Sequence, residues 1–122
     1  MLTDPITLAG DSSSTRAYAL RSILDGKSIR SVATPVAPIT VETLSISTVV
    51  SSKAGITTDR HLTRLDRTIP NGSSVPVTAS YYVVIEVPRD AVITQAIIKD
   101  MRTQMNNLLV DATLVKILNG EP

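Results

Sequence analysis

The sequence predicts an α+β fold: an N-terminal β-hairpin, an antiparallel meander sheet, then one long and one short C-terminal helix. Three observations predict it. Residues 1–87 are rich in Val, Ile, Thr and Ser and are broken by turn signals. Two of the stretches between those signals alternate apolar and polar side chains with a period of two. Residues 89–119 switch to helical spacing. Strands followed by helices place the helices on one face of the sheet. The 122 residues are enough for one domain, spanning 1–122, with the hairpin and sheet in 1–87 and the helices in 89–119.

The turn signals fall at Gly10-Asp11, Asp25-Gly26, Lys53-Ala54-Gly55 and Asn71-Gly72, and Pro35 and Pro38 bracket a further break. Gly and Asn supply the positive φ that tight turns require. The segments between read as strands over 5–9, 14–23, 28–33, 39–51, 56–69 and 76–87. Short links make a meander the simplest topology. Within 40–50, Leu44, Ile46 and Val50 share one face, and Thr43, Ser45 and Ser47 share the other. In the last strand Val77, Ala79, Tyr81, Val83, Ile85 and Val87 oppose Thr78, Ser80, Tyr82 and Glu86. Such alternation marks a sheet with one covered face and one wet face.

Pro88 stops the last strand, and Asp90 stands where a helix N-cap belongs. Ile93, Ile97, Met101, Met105 and Leu108 then form an apolar stripe, with Ala96 and Leu109 beside it, on a helix of about five turns. Asp111 reads as a second N-cap, and a short helix from Ala112 to Leu118 closes at Asn119-Gly120.

Composition narrows the function classes. With no Phe, no Trp and three Tyr, the core is expected to consist of Val, Ile, Leu, Met and Ala. The absence of Cys excludes disulfides and thiolate metal sites, and a single His leaves little for a metal centre, so no metal or cofactor is expected. No apolar run reaches the ~18 residues of a membrane span. Residues 1–5 show no basic n-region leading into an apolar stretch, so no signal peptide and a cytoplasmic site of synthesis are expected. Twelve Lys and Arg against eleven Asp and Glu give a net charge of +1, so a surface for nucleic acid has to be local. Between Ser12 and Arg67, eight basic residues face four acidic ones.

One subunit's helix covers only part of a long sheet, and a Val- and Ile-rich final strand leaves an open edge that natural proteins protect. Pairing two subunits solves both problems. The last strands meet edge to edge, and each helix crosses onto its partner's sheet. An intertwined dimer with a continuous sheet follows, its contacts made by Tyr81, Val83, Ile85, Ile93, Ile97, Met101, Met105 and Leu108.

The order of elements, with a final strand Ser80-Tyr81-Tyr82-Val83-Val84-Ile85-Glu86-Val87-Pro88 leading into a long and a short helix, resembles the coat proteins of single-stranded RNA bacteriophages (the levivirus group). From Asp59-Arg60-His61 through Asn71-Gly72 to Tyr82-Val83-Val84-Ile85, the stretch looks like the coat protein of a Caulobacter-infecting RNA phage. The resemblance implies a structural protein of the virion. Its dimers close into an icosahedral shell in the host cytoplasm around single-stranded genomic RNA. The loop Pro70-Asn71-Gly72-Ser73-Ser74-Val75-Pro76 would make the contacts around the shell's symmetry axes. The wet sheet face would turn inward, bind an RNA hairpin and repress replicase translation.

On that face the expected RNA contacts are Thr43, Ser45, Ser47, Lys53, Arg60, Arg64, Ser80, Tyr82 and Glu86. A tight turn at Lys53-Ala54 would set Ser47 opposite Arg60 and Thr43 opposite Arg64. Arginines bind phosphate by charge and bidentate hydrogen bonds, and Tyr82 offers a ring for an unpaired base. The alternation of Arg60, Leu62 and Arg64 against His61, Thr63 and Leu65 decides neither facing, and a one-residue slip exchanges them. The family pattern places the arginines inward, although Leu62 and Val84 stand where it has polar groups. Arginines on a wet face also serve solubility, and Tyr82 can instead pack across the dimer seam.

Two other readings use the same residues. A small dimeric RNA-binding module would need the sheet and helices but no shell. A hydrolase would use His61 with Asp59 and a serine, yet no nucleophile elbow, Gly-rich oxyanion loop, phosphate loop or zinc signature is present, and no catalytic activity is expected.

Overall fold

The computed structural model describes residues 2–10, 15–32 and 41–121. The Asp11 half of the first turn, the Pro35 to Pro38 break and the strand ends expected at 14, 33 and 39–40 lie outside the described residues. Six strands form one antiparallel sheet in chain order: β1 (Ile6–Ala9), β2 (Thr15–Leu24), β3 (Lys27–Val32), β4 (Val41–Lys53), β5 (Ile56–Pro70) and β6 (Pro76–Pro88). Two helices follow, α1 (Gln95–Leu108) and α2 (Asp111–Leu118). The α+β class, the meander and the two terminal helices are those the sequence predicts. The chain divides into two compact units, Met1–Val87 with the sheet and Pro88–Pro122 with the helices.

Two-residue turns set the register. Asp25 and Gly26 have φ of 48° and 73°, and Ala54 and Gly55 have φ of 51° and 78°. Paired positive φ values give the turn whose twist matches that of the flanking strands. The β4–β5 turn is thus centred on Ala54-Gly55, with Lys53 opposite Ile56. That corrects the expected register by two residues: Ser47 lies opposite Leu62, Thr43 opposite Asp66, and Ser45 opposite Arg64. A two-residue shift preserves the faces. Between Leu20 and Ser22 the β2–β3 register shifts, leaving Arg21 as the extra residue of a bulge.

The most buried side chains are not the expected aliphatic set. Among the described residues they are Tyr18, Arg30, Leu44 and Glu42. On the Leu44 face, Glu42 accepts from the Tyr18 hydroxyl at 3.2 Å and pairs with Arg67 at 3.0 Å and Arg16 at 3.5 Å. A carboxylate this buried persists only with such partners. On β6 the face is open: Tyr81, Val83 and Ile85 are exposed, and β6 is an edge strand.

The helical unit starts later than the sequence predicts. The Asp90 carboxylate accepts from the Val92 N–H within a turn, and Thr94 caps α1, accepting from Ile97 N–H. The helix therefore has 14 residues, about four turns rather than five, and Ile93 precedes it. Asp111 is not the N-cap of α2 but its first residue; Val110 holds the cap position without a side-chain bond. An acid in the first turn still complements the helix dipole. Asn119 and Gly120, the latter at φ 76°, close α2 as expected. Ile97, Met101, Met105 and Leu108 are all exposed, and neither helix buries a residue.

Candidate nucleic-acid interface

Strand alternation and register gather the expected contacts on one face. On β4 these are Thr43, Ser45, Ser47 and, at the turn, Lys53. On β5, Arg60, Leu62, Arg64 and Asp66 lie on that side, because Ser45 pairs with Arg64 and Thr43 with Asp66. Side-chain contacts extend the face across β6. Arg64 Nη2 donates to Ser80 Oγ at 3.1 Å, Thr68 and Thr78 share a hydrogen bond of 2.7 Å, and Arg60 pairs with Glu86 at 3.5 Å. Tyr82 and Val84 lie between these β6 positions on the same side and Tyr82 is exposed. The facing that periodicity left open is the one with the arginines beside the serines.

The face reaches further than the sequence reading. Lys27 pairs with Ser47 and Ser31 with Thr43, and the bulge lets Arg21 Nε donate to Ser31 Oγ at 2.6 Å. Cross-strand register was the missing signal, since β3 alone is too short and too mixed to show a face. Among the described residues, Arg21, Lys27, Lys53, Arg60 and Arg64 stand here against the acids Asp66 and Glu86. The opposite face holds Arg16, Arg30 and Arg67 with the acids Asp4, Glu42 and Asp59. The local cationic excess thus sits on the Ser- and Thr-rich side, where hydroxyls and guanidinium groups together suit a polyanion with polar edges.

Charge on this face is not loose. Arg64 Nε donates to Asp66 Oδ1 at 2.8 Å, and Ser80 Oγ donates to the same oxygen. The Ser80 hydrogen bond, joined by Arg64 and opposed by partial desolvation, holds the Asp66 carboxyl below the usual range.

His61 lies on the other side, where its Nδ1 is 3.0 Å from Thr48 Oγ1. Register does not bring Ser45 or Ser47 to it. Among the described residues no three of His, Asp and Glu gather as a metal site, and no helix is long and apolar enough to cross a membrane. The loop between β5 and β6 comprises residues 71–75, since Pro70 and Pro76 belong to the strands. Asn71 Oδ1 accepts from the Ser73 and Val75 N–H groups at 2.9 and 3.0 Å, and Ser74 has φ 60°.

No protein-family model matches the chain, and no curated protein matches it. Among solved structures it is similar to a virus-like particle of bacteriophage AVE019, with a TM-score of 0.73 and 14% identity over 98% of this chain and 97% of that one. A virus-like particle of bacteriophage ESE058 follows, at 0.71 and 13% over 96% and 95%. One of bacteriophage GQ-907 gives 0.69 and 18% over 97% and 92%. The likeness spans nearly the whole of each chain, so this sheet-and-two-helix architecture is the fold of those particle subunits.

Proposed function

We propose that this chain is the coat protein of a single-stranded RNA bacteriophage, of the levivirus kind and akin to that of a Caulobacter-infecting phage. One coat domain, it dimerises, closes into an icosahedral shell in the host cytoplasm and packages genomic RNA in the virion. The observation that carries the reading is the chain-long likeness to phage virus-like particles, 98% of this chain against 97% of the AVE019 chain. Two features support it. Apolar side chains are exposed on both units: Tyr81, Val83 and Ile85 on β6, and Ile97, Met101, Met105 and Leu108 on α1. Pairing of two copies covers both sets and the open β6 edge. Ile93, half-buried before α1, would flank that seam. The cationic, hydroxyl-rich face then lines the shell. Arg60, Arg64 and Lys53 engage phosphates, Thr43, Ser45, Ser47 and Ser80 bond bases or backbone, and Tyr82 stacks. Glu86 fixes Arg60. An RNA hairpin held there would repress replicase translation. The loop of residues 71–75 joins dimers around the symmetry axes.

Size-exclusion chromatography with absorbance at 260 and 280 nm, followed by negative-stain microscopy, tests this. Void-volume particles rich in nucleic acid are expected. A dimer that binds RNA but never forms particles would favour a small RNA-binding module, and a monomer would overturn the reading.

A further inference from the structure

Asp66 is an anion in the middle of a face whose other charges are mostly cationic. On a surface for RNA, an acid without another role only repels phosphate. Its geometry gives it one. Arg64 Nε and Nη2 are both engaged, the first by Asp66 Oδ1 at 2.8 Å and the second by Ser80 Oγ at 3.1 Å, while Ser80 itself donates to Asp66. Three side chains from two strands thus close a ring that fixes the guanidinium plane. Asp66 is the more covered partner, 20% exposed against 46% for Arg64, so the acid sits beneath and the cation above. The other arginine pair on the face lacks this construction: Arg60 meets Glu86 through one 3.5 Å contact, with both side chains more than half exposed.

We infer that Asp66 is a positioning residue for Arg64, holding its Nε edge so that Nη1 and the second Nη2 proton stand free as a fork for one RNA phosphodiester. The inference rests on the coat-protein reading above and deepens it. A guanidinium offers five donors in a planar fork, and two are used inside the ring. The rotamer freedom of Arg64 is then lost on folding rather than on binding RNA. Asp66 stays ionised under any mildly acidic or neutral condition, so the clamp does not release where RNA binds.

The test is Asp66→Ala, which removes both the acceptor and the charge, because positioning and repulsion predict opposite signs. The probes are a fluorescein-labelled stem-loop RNA and labelled oligouridylate, with binding to dissociated and reassembled coat protein followed by anisotropy over a salt series. Positioning predicts about tenfold weaker binding, the scale of one charge-assisted hydrogen bond. The log K against log salt slope should fall by about one phosphate contact. Asp66→Ala should add no loss to Arg64→Ala, while its loss should add to that of Arg60→Ala. Ser80→Ala, which removes one side of the ring and no charge, should weaken binding in the same direction by less. Circular dichroism that matches wild type separates these effects from misfolding. Binding that tightens or stays unchanged in Asp66→Ala overturns the positioning role and leaves the coat reading standing. Wild-type protein that binds neither probe overturns both.

Discussion

Asp4 reaches from the start of the chain to Arg30 in the middle of the sheet, its Oδ1 3.1 Å from the arginine Nη1. The same oxygen accepts the Leu20 N–H at 2.9 Å, beside the bulge of β2. Arg30 is 2% exposed and, among the described residues, its Nε has no partner and one half-exposed carboxylate compensates the buried cation. Removing the two partners therefore has unequal effects. Asp4→Ala leaves a buried charge and should destabilise the protein by about 2–3 kcal/mol, whereas Arg30→Met removes that charge and should change stability by less than about 1 kcal/mol. Urea midpoints at fixed protein concentration measure both. Equal costs, or a larger one for Arg30→Met, would show that the pair is not what holds the leading segment to the sheet.

Tyr18 and Glu42 carry a pH dependence of known sign. Burial, and then the charge and hydrogen bond of Glu42, raise the Tyr18 phenol above its usual pKa, while Arg67 and Arg16 oppose. The folded state thus holds this proton more tightly than the unfolded chain. The associated stability is complete below about pH 10 and is lost as pH rises through the raised value. Tyr18→Phe should cost about 1 kcal/mol at neutral pH, the worth of one hydrogen bond. Its stability should also fall less steeply than wild type above pH ~10, since the titrating group is gone. The difference between the two urea-stability profiles isolates Tyr18 from the other tyrosines and the lysines. Parallel alkaline limbs would mean that the phenol is not shifted.

Alternation made some of this legible and hid the rest. Leu44 against Ser45, and Ser80 against Tyr81, define faces because single strands display a period of two. In β5, Arg60, Leu62 and Arg64 are no more polar as a set than His61, Thr63 and Leu65, so the facing emerged only from pairing with β4. The register differs by two from that expected of a turn at Lys53-Ala54, because the turn needs both Ala54 and Gly55 at positive φ. Asp90 and Thr94 are both good capping residues one helical turn apart, and composition does not say which caps the helix and which caps the turn before it. The buried ion pairs were beyond reach: Asp4 with Arg30, and Glu42 with Arg16 and Arg67, join residues far apart in the chain. Periodicity within one strand carries no trace of such partners.

The β4–β5 turn offers a test in both directions. Ala54 holds φ 51°, where a Cβ meets the backbone, and Gly55 holds φ 78° with open space around it. Ala54→Asn should raise stability by about 0.5–1 kcal/mol, because Asn tolerates the left-handed region. Gly55→Ala should lower it by about 1–2 kcal/mol for strain alone, since nothing lies near enough to clash. Thermal unfolding of both variants checks the pair of signs. A stabilising Gly55→Ala would contradict the turn geometry that sets the register of the basic face.

On the coat-protein proposal, Asn71 offers a way to separate shell assembly from dimerisation. Its Oδ1 receives the Ser73 and Val75 N–H groups, so one side chain organises the loop between β5 and β6. Asn71→Ala removes that acceptor and leaves the Asn71–Val75 and Ser74–Asn71 backbone bonds, at 2.8 and 2.9 Å, to hold a looser loop. Asn71→Asp keeps an acceptor oxygen in place. If the loop joins dimers in the shell, Asn71→Ala should yield dimers with few or irregular particles, and Asn71→Asp should retain particles. Neither substitution touches the exposed apolar residues of β6 and α1, so both variants should remain dimeric. Sedimentation velocity resolves the dimer from the particle in one experiment. Regular particles from Asn71→Ala would remove the loop from the assembly contacts, and monomers would show that its order supports the sheet edge itself. The Asp variant restores the acceptor while adding a negative charge, so particles from Asn71→Asp and few from Asn71→Ala report the ordering of the loop rather than its mere presence.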